Sequence, residues 1–96
     1  MKELKTFLLK NNFQPSYAGS DRYNYYLFDR DREHITLRVT IDKTIIVELV
    51  TEYLYIEEEN RLLLYESNNA EGIQEWLLHT VLFLKKGEHI ESIREN

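Results

Sequence analysis

Cysteine is absent from this chain of 96 residues. That excludes disulfides, thiol nucleophiles and every cysteine-ligated metal set, and it makes a cytoplasmic setting the expectation. With three glycines and one proline, the chain has little material for a phosphate-cradling loop or a long flexible linker. No apolar run approaches the ~18 residues that a membrane span needs, so no membrane association is expected. The amino-terminal segment is charged, helical in pattern and free of a small-residue cleavage site, so no signal peptide is expected. His34, His79 and His89 stand at no i, i+4 spacing. Neither a metal nor a cofactor is expected.

What is present suits one small core. Apolar residues make up 43% and charged residues 30%, the balance of an ordinary globular domain rather than a disordered chain. Residues 1–96 read as one α+β domain, with 88–96 either a further helical turn or a frayed tail. The net charge of −5 is unevenly spread. Residues 1–47 carry eight basic and six acidic side chains, residues 48–75 one basic and eight acidic, and residues 76–96 three of each. The acidic second half repels phosphate backbones and attracts basic surfaces.

The patterning predicts a helix, a four-stranded antiparallel meander and a second helix, with both helices on one face of the sheet. Leu4, Phe7 and Leu8 recur at i, i+3 and i+4, so Lys2 to Asn11 reads as a short amphipathic helix. Asn11-Asn12 is a stop, since Asn tolerates the left-handed conformation, and Pro15 forbids continuation. Tyr23 to Phe28 is the first strand, with Tyr23, Tyr25 and Leu27 on one face and Tyr26 and Phe28 on the other.

The second and third strands fix each other. Ile35, Leu37, Val39 and Ile41 alternate with polar residues, and a β-favouring run restarts near Thr44. A two-residue turn at Asp42-Lys43 would place Leu37 opposite Glu48 on the core face. A three-residue loop, Asp42 to Thr44, instead pairs Ile41 with Ile45, Val39 with Val47 and Leu37 with Leu49. It also sets Arg38 against Glu48 and His34 against Glu52 on the other face. A one-residue slip would exchange the faces of a whole strand, so the core pattern selects the three-residue loop. The lack of glycine in that loop is unusual for its length.

The third strand is expected to run on through Ile56, unless a bulge interrupts it, and Glu57 to Asn60 to form the next turn. Arg61 to Tyr65 is the fourth strand, of undefined register. Asn68 reads as the N-cap of the last helix, with Glu71 as the reciprocal arm of a capping box. Ile73, Trp76, Leu77, Thr80, Val81 and Leu84 trace its buried stripe, Leu78, Leu82 and Phe83 widen it, and Lys85-Lys86-Gly87 ends it.

Catalytic chemistry is not indicated. Glu57, Glu58 and Glu59 fall in a turn where water solvates them, and no serine lies in a nucleophile elbow, so the protein is expected not to be an enzyme. The functional signal lies in surfaces. Tyr26, Phe28, Arg38, Ile46, Glu48, Val50 and Leu54 make the outer sheet face more apolar than a solvated face requires, which points to a protein contact or a homodimer. Glu52, Glu57, Glu58, Glu59 and Glu66 form an acidic patch suited to a basic protein partner. A second reading is an inhibitor that covers a basic nucleic-acid-binding surface. In size, charge and helix–strands–helix order the chain is similar to compact acidic phage and mobile-element proteins such as anti-CRISPRs, and that likeness implies such a role. A third reading is single-stranded RNA stacked on the sheet tyrosines. The acidic half opposes it, and nucleic acid is not the expected partner.

Overall fold

The computed structural model describes residues 2–16 and 21–82, the last two as backbone. Helix α1 (Lys2–Lys10) buries Leu4 and Leu8 and turns its lysines outward. Its end is set by Asn12, which takes φ 70°. The Asn12 N–H then reaches Leu9 O at 3.3 Å and the Phe13 N–H reaches Leu8 O at 2.9 Å. This pair of bonds satisfies two carbonyls that the helix leaves orphaned, and it turns Phe13 into the core beside Leu8. There the Phe13 ring lies 5.0 Å from that of Tyr25.

The sheet has five strands rather than the expected four. They are β1 (Gln14–Pro15), β2 (Arg22–Arg30), β3 (Glu33–Ile41), β4 (Ile45–Tyr53) and β5 (Glu59–Ser67), antiparallel in sequential order. The added strand β1 is two residues long, too short to leave a periodic signal. Pro15 is tolerated there because the strand lies at the sheet's edge.

Strands β2 and β3 join through the two-residue turn Asp31-Arg32, with Asp31 at φ 55°. A left-handed residue in so tight a turn matches the twist of the flanking strands. A bulge at Leu27 pairs Tyr26 with Thr36 and Phe28 with Ile35. Thr36 and Ile35 are consecutive, so Tyr26 and Phe28 lie on opposite faces, which corrects the expectation that they share one.

The β3–β4 hairpin has the expected register, with Ile41 opposite Ile45, Val39 opposite Val47 and Leu37 opposite Leu49. Its three-residue loop closes through Asp42 N–H to Thr44 O at 3.0 Å. None of those three residues takes a positive φ, which explains why the loop manages without glycine.

Strand β4 stops at Tyr53, not Ile56. The Tyr53 N–H bonds to Glu58 O at 3.4 Å and closes the loop Leu54–Glu58. The Leu54 N–H is drawn to Arg32 O at 3.0 Å, tying this loop to the β2–β3 turn. Glu59, expected in a turn, begins β5 instead. A bulge at Leu64 places Tyr65 opposite Val47 and Leu63 opposite Glu48.

Helix α2 (Ala70–Leu77) is capped by Asn69 rather than Asn68. Its side-chain oxygen accepts from the N–H groups of Glu71 at 3.0 Å and Gly72 at 3.4 Å. Glu71 therefore stands one position too early for a capping box. The chain passes into a π-helical turn over Leu78–Leu82. The expected Leu84 contact, the Lys85-Lys86-Gly87 stop and the 88–96 tail lie outside the described residues, as does the side chain of Val81.

Both helices cover the same face. Leu4 and Leu8 of α1 and Ile73 and Leu77 of α2 join Tyr23, Tyr25, Leu37, Val39, Ile45 and Val47 in one buried cluster. Each such aliphatic side chain contributes roughly 1.5–3 kcal/mol on burial, more than helices this short supply by hydrogen bonding alone. Tyr65 of β5 stacks on Trp76 of α2 at 5.4 Å, fixing the last strand to the last helix.

Candidate protein-contact site

The outer sheet face is organised by one arginine. Register places Asn24, Arg38, Glu48 and Leu63 in one row across the sheet, and Tyr26, Thr36, Val50 and Arg61 in the next. Arg38 lies opposite Glu48 as expected, but its guanidinium does not bond there. Its Nε donates to Asn24 Oδ1 at 3.1 Å and its Nη1 to Glu59 Oε2 at 3.1 Å. Glu59 sits on β5, so the guanidinium spans β4 on its way. Val50 of β4 stands in the row between those of Arg38 and Glu59 and is fully buried, and its neighbour Thr36 is buried too. A long side chain held at both ends shields apolar surface with its methylene stem.

That arrangement corrects the expected exposure of this face. Val50 does not meet solvent, and Arg38 is almost completely covered. Ile46 and Glu48 are half-buried, and Phe28 is half-buried on the helix side. Tyr26 remains exposed and stacks on His34, with ring centroids 5.1 Å apart. His34 does not pair with Glu52, although the two stand in register. Its Nδ1 lies 2.8 Å from Asp29 Oδ1. This Asp–His pair orients one imidazole at a solvent-facing rim.

The exposed apolar surface lies farther along, at the β4–β5 loop and on β5. Leu54 is 61% exposed, Tyr55 76%, Ile56 55%, Leu62 60% and Leu63 55%. Leu62 and Leu63 are consecutive and face opposite sides of the sheet. The loop forms a shallow open groove of about 610 Å³ along residues 52–59. Its edge is acidic, since Glu52, Glu57 and Glu58 are all exposed. The Arg32 guanidinium lies over the Tyr55 ring at 5.3 Å and holds that ring at the surface. Cation–π contacts at exposed sites contribute about 0.5–1 kcal/mol, enough to bias a loop side chain.

The acidic residues are thus not one patch. Glu52, Glu57 and Glu58 line the groove. Glu59 is engaged by Arg38 and, at 3.6 Å, by Arg61. Glu66 lies toward the other end of β5, where its Oε2 accepts from the Thr44 hydroxyl at 3.0 Å. Of these five exposed apolar residues, Tyr55, Ile56, Leu62 and Leu63 are absent from the sequence-derived set. The run Leu62-Leu63-Leu64, which breaks alternation in an edge strand, was the signal available for two of them.

Among the described residues no helix is long and apolar enough to cross a membrane. Comparison with protein-family models, with curated proteins and with solved structures finds no match to this chain.

Proposed function

We propose that this protein is a non-enzymatic module that binds another protein through the β4–β5 loop and the edge strand β5. The observation that carries this reading is the group of five large apolar side chains, Leu54, Tyr55, Ile56, Leu62 and Leu63, each more than half exposed beside three glutamates. Single exposed apolar residues are ordinary, whereas three in a row on an acidic loop, with two more on the edge strand that follows it, are more than a solvated surface requires. The acidic rim favours a basic partner, and the lack of cysteine supports a cytoplasmic setting.

The test is affinity capture from the native cell with the wild-type chain and with the triple variant Leu54→Ser, Tyr55→Ser, Ile56→Ser. These side chains lie outside the buried cluster, so the variant is expected to fold and to lose the wild-type partner. An unchanged set of captured proteins would overturn the reading.

The inhibitor reading draws support from the same rim. It requires that Glu57→Lys with Glu58→Lys abolish binding to a basic nucleic-acid-binding surface and reduce the salt dependence of any residue of affinity. Glu59 is left intact because it anchors Arg38. The RNA reading lacks support, because Tyr23 and Tyr25 are buried and Tyr65 is stacked on Trp76.

A further inference from the structure

We infer that the occupant of this surface is an extended basic segment of another protein, added as a sixth strand along β5. The inference rests on the binding reading above and supplies its mode and partner chemistry. β5 is the last strand of the sheet, so one side of its backbone has no strand partner among the described residues. Such an edge presents alternating N–H and C=O groups to an incoming chain.

The two sides of the sheet differ in this respect. On the far side, β1 covers β2 only at Tyr23 and Asn24, and Pro15 has no N–H to offer. The rest of that edge is bent by the bulge at Leu27 and ends in the charged Asp29 and Arg30. β5 presents an unbroken register from Glu59 to Leu63 before its own bulge at Leu64. Leu62 and Leu63 would flank an added strand on the two faces of the sheet, and the apolar loop lies at its end.

Charge selects the partner. Residues 48–75 carry eight acidic side chains and one basic. Glu59 is occupied by Arg38 and Arg61, while Glu52, Glu57 and Glu58 form no ion pair with a described residue. A second copy docked here would bring two such acidic stretches together. A basic strand would neutralise them.

The experiment titrates isotope-labelled full chain with three synthetic peptides of about eight residues. One alternates Lys with Val, one alternates Glu with Val, and one is the Lys–Val peptide N-methylated at every second residue. The Lys–Val peptide is expected to bind and to slow amide exchange in β5, with the other two weaker by about tenfold or more. Equal binding of the methylated peptide, or protection confined to the loop, would overturn strand addition while leaving the contact surface standing. Equal binding of the Glu–Val peptide would overturn the charge argument. No binding of the Lys–Val peptide up to about 1 mM, or β5 amides protected in a peptide-free dimer, would overturn the inference itself. Failure of the contact surface is read separately, from capture by the loop triple variant.

Discussion

Arg38 and Glu59 join β3 to β5 across the intervening strand, with Nη1 donating to Oε2 at 3.1 Å. The same guanidinium takes Asn24 of β2 through its Nε. One side chain on β3 thus bonds to both β2 and β5, past the intervening β4. The proposed contact surface lies at the end and edge of the sheet.

This pairing is measurable as a coupling. Arg38 is almost buried and Glu59 is about a third exposed, so solvent screens the pair in part. A double-mutant cycle with Arg38→Ala and Glu59→Ala is expected to give about 1 kcal/mol of coupling in urea unfolding. The parallel cycle with Glu48→Ala is expected near zero. A larger coupling to Glu48 would contradict the geometry.

Thr36 lies beside Val50 with its hydroxyl buried and no hydrogen-bond partner among the described residues. Thr36→Val removes that unpaired group at nearly constant shape. The variant is expected to raise the unfolding free energy by about 1 kcal/mol, read from the urea midpoint at constant slope.

Asn12 holds the left-handed position that ends α1. Asn12→Gly is expected to leave stability unchanged or slightly higher, since glycine takes that conformation without strain. Asn12→Ala is expected to lower stability by about 1 kcal/mol. Equal thermal midpoints for the Gly and Ala variants would contradict the role given to this residue.

Burial raises the Tyr25 phenol above its ordinary value of 10.0. The folded state therefore keeps this proton to higher pH than the unfolded state does. The corresponding stability is fully present below about pH 10 and is lost as the pH rises through the folded value. Urea unfolding followed across that range is expected to show a shallower alkaline decline in Tyr25→Phe than in the wild type.

The features legible in the sequence are those written in period two or in a cap. Ile35, Leu37, Val39 and Ile41 alternate, as do Ile45, Val47 and Leu49, so one register sets the two series opposite each other on a single face, and that register is observed. Asn12 was readable as a helix stop for a similar local reason. β1 was not legible, because two residues have no period. Leu54-Tyr55-Ile56 reads as strand by composition, yet a backbone bond from Leu54 to Arg32, remote in sequence, draws it into a loop. The bulges at Leu27 and Leu64 reset which face each side chain meets. Arg38 reaches past its cross-strand neighbour to a residue one strand farther, a choice that pairing rules do not encode. Tyr26, Leu54, Glu57 and Glu58 stayed at the surface as expected, whereas Val50 and Arg38 did not.

The location of the contact surface is tested most directly by comparing Leu63→Lys with Ile46→Lys in partner capture from the native cell. Leu63 is exposed on the edge strand β5, and Ile46 is half-buried on the inner strand β4, in the next row of the same outer face. Leu63→Lys is expected to reduce captured partner by about tenfold or more, and Ile46→Lys by less than about twofold. The reverse order would contradict placement at the β5 edge and return the site to the inner strands of the sheet.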